Sequence, residues 1–397
     1  MDLQMFAKRY LGMTKVFASI TGIWPYQNQY QKNIRRALVN SVVIVALICQ
    51  IGKIVVFLSI RTVVDQIPFL MVAIGSFIKY SNYVLNDNKF KKLFNSVLGD
   101  WQEVKTQEEE RLMQKYANRG VLFILIYNLN IYFCVTTFLL LPFMPRLMDV
   151  WAPLNESRPR IHMYPGYYFT KNDDDYYYLI MLYTTISMLF AMCVFIASDT
   201  IMIYMVQHVC GLLSLAGYRF KSSMDGLSSW TDDYKVHERT YKKVCYAIKA
   251  HKRAYAFLNE IEDAYTLNLF IQVGFAVLTF TITLLKVASI TWSLDTYPYY
   301  GFVIVQLVHV FFLTVQGQFV IDLHDSLYLM EYEAYWYNGD IKTQALFVLI
   351  IRRNLTPPLL TAGGLIHLNL NSFAEVNCKG MRFVLYCAEI RLNVAVK

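Results

Sequence analysis

The sequence predicts an all-α polytopic membrane protein with seven transmembrane helices, the N-terminus in the cytoplasm and the last span broken into two halves. Three observations carry this reading. Hydrophobic residues make up 56% of the chain and charged residues only 17%, leaving far more apolar surface than one water-soluble core needs. Apolar runs of about 20 residues recur along the chain, and that is the length a helix needs to cross a hydrocarbon layer of roughly 30 Å. Near the C-terminus, two shorter apolar segments are interrupted by Arg352, Arg353, Pro357, Pro358, Gly363 and Gly364. Broken helix at membrane depth is tolerated only where it is buried in protein or lines a water-filled path, so this interruption points to a pathway.

In chain order, Lys8, Arg9, Lys15, Lys32, Arg35 and Arg36 make the amino-terminal segment basic, and Val16, Phe17, Ile20, Ile23 and Trp24 give it an apolar side. It is expected to lie along the membrane surface with Trp24 as an interface anchor. The first apolar run lacks a small-residue cleavage site and should serve as the first anchor. The full spans are expected at 37–60, 67–85, 120–141, 178–198, 267–289 and 301–321, with the broken span over 342–376 onward. Lys53, Lys79 and Lys286 fall inside them, and each can reach an interface along its aliphatic stem. Residues 86–119 read as a solvated helix pair. Along 199–264 and into the span that follows, Val244, Ile248, Tyr255, Leu258, Ile261 and Tyr265 form one helix stripe that extends the fifth span away from the lipid and offers subunits a packing surface.

Orientation follows from charge. The amino-terminal segment with the second and fourth connections holds 22 Lys and Arg, against five in the alternate connections, which places the N-terminus inside. The loop after the third span is then outside. Its Asn155-Glu156-Ser157 sequon agrees with that placement, and its tyrosines, Tyr164, Tyr167 and Tyr168, read as an aromatic belt. A second sequon at Asn354 is expected inside. None of the seven cysteines falls in an outer segment, so no disulfide framework is expected.

Chemistry narrows the function. The chain has no HExxH, no Gly-rich phosphate loop, no G-x-S-x-G and no paired intramembrane carboxylates, so it is not expected to be an enzyme. Asp322, His324 and Asp325 resemble metal ligands only superficially, since a hydrated helix start accommodates all three, and no metal or cofactor is expected. The net charge of +8 is dispersed among hydrophobic spans with no aromatic-interleaved patch, so the partner is membrane lipid rather than nucleic acid. Transporters with broken helices usually show two related halves, and no repeat is visible here.

One resemblance is specific. Ser326, Ala334, Tyr335, Trp336 and Tyr337, then Gln344, Arg352, Pro357, Leu359, Thr361, Ala362, Gly363, Gly364, Leu370, Phe373 and Val376 resemble the closing signature of the insect odorant receptors. The similarity runs more loosely over 1–376, leaving 377–397 as a divergent tail. It implies a ligand-binding subunit of an odorant-gated, non-selective cation channel, assembled as a heterotetramer with a shared co-receptor in the cell membrane of sensory dendrites. The ligand would be a small volatile or lipophilic odorant. Gustatory receptors are the nearest alternative, although their closing threonine-tyrosine motif is absent. A G-protein-coupled seven-span receptor would have its N-terminus outside.

The resemblance further implies a pocket in the outer half of spans two, three, four and six. Candidates are Phe69, Val72, Tyr132, Thr136, Met181, Thr184, Met188, Val303 and Gln306. Of these, Met181, Thr184 and Met188 share a helix face and offer soft apolar contact with one hydroxyl. Phe373 and Val376 are the expected pore or gate residues. The family's serine- and tyrosine-rich ending is missing, and Lys379, Arg382, Glu389 and Arg391 stand in its place. A cationic side chain ~4 Å from a permeating cation costs about 4 kcal/mol at an effective dielectric near 20, so this tail is expected to hinder conduction.

Overall fold

The computed structural model describes residues 9–153, 156–227, 233–289 and 297–395, so the sequon residue Asn155 lies outside the described residues. Eleven helices carry the fold among them: α1 (Gly12–Thr21), α2 (Gln29–Val56), α3 (Ile60–Leu85), α4 (Asp87–Gln102), α5 (Gln107–Leu140), α6 (Met144–Trp151), α7 (Tyr177–Ser223), α8 (Tyr234–Ser289), α9 (Tyr297–Tyr332), α10 (Ile341–Arg353) and α11 (Leu370–Ala395). Six of these stretches, α2, α3, α5, α7, α8 and α9, have the length and apolarity to cross a membrane. The last span is broken into α10 and α11. Between them sits a short antiparallel hairpin, β1 (Thr361–Ala362) with β2 (Ile366–His367).

Helix length explains the architecture. At 1.5 Å per residue the 47 residues of α7 run about 70 Å, more than twice a hydrocarbon thickness, and α8 is longer at 56 residues. The surplus of α5, α7, α8 and α9 forms a helical extension at one end of the bundle. α7 is its axis: apolar on all sides, it buries nearly every residue from Cys193 to Ala216, as expected of a helix surrounded by others. The Val244–Tyr265 stripe of α8 packs into this same core, with Val244, Leu258, Ile261 and Tyr265 buried within the chain. That stripe is therefore taken up inside the subunit. The join between α2 and α3 is shorter than expected, because Ser59 caps α3 by accepting the Thr62 N–H, leaving only residues 57–59 between the helices.

The amino-terminal segment differs from its expected surface position. α1 packs against α7, where Thr14 Oγ1 donates to Thr200 Oγ1 at 3.0 Å, and Tyr10, Leu11, Ala18 and Ile23 are buried. Trp24 is not an interface anchor: it lies inside the bundle, edge-on to Phe94 at 5.2 Å. Two ion pairs organise the extension. Asp100 takes a bidentate contact from Arg253 at 2.5 and 2.9 Å and a third from His208 at 3.0 Å; burial pushes its carboxyl up, but these donors hold it below the usual range. Arg219 meets Glu109, which also closes the capping box with Thr106 at the start of α5.

The break in the last span is built on glycine. Gly363, at φ +67°, donates its N–H to the Thr266 carbonyl at 3.0 Å, and a Cβ there would lie 2.8 Å from the Phe270 ring. Gly317 on α9 lets the Leu368 carbonyl approach so closely that a Cβ would sit 1.9 Å from that oxygen. The hairpin is thus clamped between α8 and α9. α10 packs with the helix extension, Phe347 lying 5.7 Å from Phe220, while α11 at 26 residues is alone long enough, at about 39 Å, to cross a bilayer.

Beside α10, Glu331 and Asn354 share a buried polar cluster with His251 and Tyr255. Asn354 donates to Glu331 at 2.5 Å, and its carbonyl lies 2.9 Å from both the His251 ring and the Tyr255 hydroxyl. Burial raises the Glu331 carboxyl to about 8 despite the Asn354 bond, and burial also holds His251 and His324 below the ordinary histidine value. Between the ordinary glutamate value and about 8, the folded protein holds a proton that the unfolded chain has lost. This contribution to stability therefore falls as pH rises across that window, by up to about 1.4 kcal/mol per unit, and is gone above it. Glu331→Gln should remove the slope. Thermal unfolding of wild type and variant from pH 5 to 8.5 reads the difference directly, because the histidine contributions are common to both.

Candidate ligand-binding site

One cavity of about 240 Å³ lies among α2, α3, α5, α7, α8 and α9. Each helix contributes residues at three- and four-residue steps, so each presents one face: Phe69, Val72, Ser76 and Lys79 from α3, Asn130, Cys134 and Phe138 from α5, and Ser187, Met188, Ala191 and Phe195 from α7. α8 adds Gln272, Phe275, Ala276 and Thr279, and α9 adds Phe302, Gln306 and His309. The wall is mainly apolar with scattered polar groups, the usual make-up of a site for a small organic molecule.

An aromatic cluster closes the end away from the extension. Phe69 is its centre, 4.9 Å edge-on to Phe302, 6.3 Å from Tyr299 and 6.4 Å from Tyr164. Met163 and Tyr164 come from the loop after α6 and line the cavity itself. Two hydrogen bonds hold that loop down: the Gln66 side-chain amide donates to the Pro165 carbonyl at 2.8 Å, and the Tyr167 N–H to the Cys49 carbonyl at 2.8 Å. Tyr164 is thus a buried wall residue rather than part of an aromatic belt.

At the opposite end stands a buried ion pair. Lys79, only 1% exposed, donates to both Asp199 oxygens at 2.5 and 2.6 Å and lies 4.6 Å from the Phe195 ring. Tyr127 also donates to Asp199, and His309 Nδ1 is 3.9 Å from it. Lys79 therefore does not reach an interface as expected; its partner is inside. Lys286 likewise meets Asp65 and faces the Tyr299 ring at 5.9 Å. One carboxylate on α7 so joins α3, α5 and α9 at the end of the cavity. Among the described residues no group of three or more His, Cys, Asp or Glu side chains could hold a metal ion.

Of the residues singled out from the sequence, Phe69, Val72, Met188 and Gln306 line the cavity together. The others lie outside its wall. Tyr132 is 37% exposed and faces Phe17 at 6.3 Å, Thr136 is exposed, and Met181 and Val303 are half-buried. Thr184 is buried, its hydroxyl donating to the Met181 carbonyl at 3.0 Å. Phe373 and Val376 are half-buried on α11, with Phe373 5.8 Å from Phe311 of α9. Sequence reasoning missed Gln50, Asn130, Gln272, Tyr164 and His309 as wall residues.

Six helices of membrane-crossing length around a mainly apolar cavity make a multi-pass protein able to hold a small organic molecule. A model of the 7tm odorant receptor family matches residues 59–377, and the chain belongs to that family. Two solved structures of insect olfactory receptor OR5 from Machilis hrabei are similar in fold. The one in complex with eugenol shares 14% identity at a TM-score of 0.78, covering 98% of this chain and all of that one. The other gives 14% identity and a TM-score of 0.77 with the same coverage. No curated protein matches.

Proposed function

We propose that this chain is the odorant-binding subunit of a ligand-gated, non-selective cation channel formed with a shared co-receptor in the cell membrane of sensory neurons. The observation that carries it is the mainly apolar cavity on helices that also touch the last span. α9 supplies Phe302, Gln306 and His309 to the wall and, two residues on, sets Phe311 against Phe373 of α11. A ligand that favours one packing of α9 over another thereby biases α11; a ligand with equal affinity for both would shift nothing. The similar receptor from Machilis hrabei was solved with eugenol, and a small odorant is the ligand class proposed here.

The Lys and Arg asymmetry supports an N-terminus and helix extension inside the cell, with the loop bearing Tyr164 outside. The outward face of α11 carries exposed Glu375, Lys379 and Arg382, and Glu375 pairs with Lys379 at 3.0 Å, neutralising part of the charge that the tail brings to a conduction path. The side chains of Glu389 and Arg391 lie outside the described residues. Expression of this chain with and without a co-receptor, recorded across a chemical panel, tests the reading. Ligand-evoked cation current only in the co-expressed cells is expected; current-free ligand uptake by this chain would mean a transporter instead.

A further inference from the structure

Several polar groups around the cavity are committed within the protein, Ser76 and Thr279 to backbone carbonyls and Lys79 to Asp199, whereas the Tyr164 hydroxyl and four amides keep buried atoms without a partner among the described residues. Gln306 has neither its amide nitrogen nor its amide oxygen hydrogen-bonded among the described residues, although both atoms are buried. Gln272 uses its nitrogen on Asn268 at 2.8 Å and leaves its oxygen unpaired. Gln50 also presents an unpaired oxygen, and Asn130 an unpaired nitrogen. These four side chains come from α9, α8, α2 and α5, and all four line the same cavity. A buried amide without a partner is costly, so four converging on one cavity mark where something polar belongs.

We propose that the cavity selects neutral, hydroxyl-bearing apolar molecules, with Gln306 as the residue that holds the hydroxyl. This deepens the ligand-site reading and rests on it. A hydroxyl both donates and accepts, which matches the one amide whose donor and acceptor are both free. A ketone or ester offers only an acceptor and satisfies half of that amide; a hydrocarbon satisfies none. A ligand that covers these amides without bonding them leaves buried polar groups unpaired and loses affinity. Charge is excluded for a separate reason. The two basic wall residues, Lys79 and His309, both face Asp199, so neither offers an uncommitted charge to a carboxylate, and the Asp199 carboxylate is likewise occupied against an ammonium.

The test is equilibrium binding of octan-1-ol, octan-2-one, octane and octanoate to the purified full-length protein in lipid nanodiscs, with empty nanodiscs as the blank for partition. Wild type should bind octan-1-ol at least about tenfold more tightly than octane, equivalent to ~1.4 kcal/mol, with octan-2-one between them and no saturable binding of octanoate. Gln306→Leu should shrink the alcohol-to-alkane ratio to under about threefold by weakening the alcohol alone, octane binding being the control that the variant is folded. An unchanged ratio in Gln306→Leu, no alcohol preference in wild type, or no saturable binding by any of the four would overturn the proposal. Ala191→Trp, which fills the cavity, separates the two readings. If it abolishes binding while Gln306→Leu leaves the ratio intact, the cavity stands as the ligand site and hydroxyl selection falls; if it leaves binding intact, both fall.

Discussion

Asp199→Leu is expected to remove most of the folded receptor from the cell surface. Asp199 is the only acidic partner within reach of Lys79 among the described residues, and Lys79 is 1% exposed, so the substitution strands an ammonium group between helices with only the Phe195 ring at 4.6 Å beside it. Removing one partner of a buried pair costs about 3–5 kcal/mol, against a total stability of roughly 5–15 kcal/mol for a domain. Lys79→Met should do less harm, because the carboxylate left behind keeps the Tyr127 hydroxyl and has His309 at 3.9 Å. The double variant Lys79→Met with Asp199→Leu replaces the pair by apolar residues of similar size, which is often near neutral, and should recover most of the loss. Surface biotinylation of the four proteins measures this. Equal loss in single and double variants would show that the pair contributes through packing and not through charge compensation.

Gly317→Ala is expected to separate binding from gating. A methyl group at this position would come within 1.9 Å of the Leu368 carbonyl, a backbone atom that cannot move without moving the hairpin, and Leu370, whose N–H contacts Gln318 at 3.3 Å, begins α11 two residues later. Overpacking of this kind costs about 1–3 kcal/mol and here is relieved by displacing the start of α11. The cavity wall on α9 ends at His309, two helical turns away, so the ligand site is left in place. The variant should bind odorant with near-wild-type affinity and pass little current. Normal current from Gly317→Ala would mean that the close approach is not needed to couple the helices.

Much of this architecture is legible in the sequence because it depends on local periodicity. Six apolar runs and a Pro- and Gly-interrupted seventh give the spans and the break, and the closing residues Thr361 to Gly364 point to a built turn, whose reason the structure supplies in Gly363 against Phe270. What escapes is long-range. Lys79 reads as a lysine near a span end until Asp199, 120 residues on, turns out to face it. Trp24 and Tyr164 carry the composition of interface aromatics, and only the packing of α4 and of the loop after α6 makes them interior. For the site, helix phase is readable but depth along the helix is not: Met181, Thr184 and Met188 share one face of α7 with Ala191 and Phe195, yet of the three only Met188 lines the cavity, whose wall runs one to two turns further along that face. The amides of Gln50, Asn130 and Gln272 converge from three helices whose neighbours no single-sequence pattern specifies.

The central claim is that the cavity among α2, α3, α5, α7, α8 and α9 is where an odorant acts. Odorant-evoked current in cells co-expressing the co-receptor with either wild-type chain or Ala191→Trp, compared at matched surface level, tests it most directly. The indole would occupy much of a cavity of about 240 Å³, so the account predicts evoked current from wild type and at least a tenfold loss of sensitivity in the variant, ~1.4 kcal/mol or more. Equal sensitivity in the two would contradict it and put the ligand elsewhere.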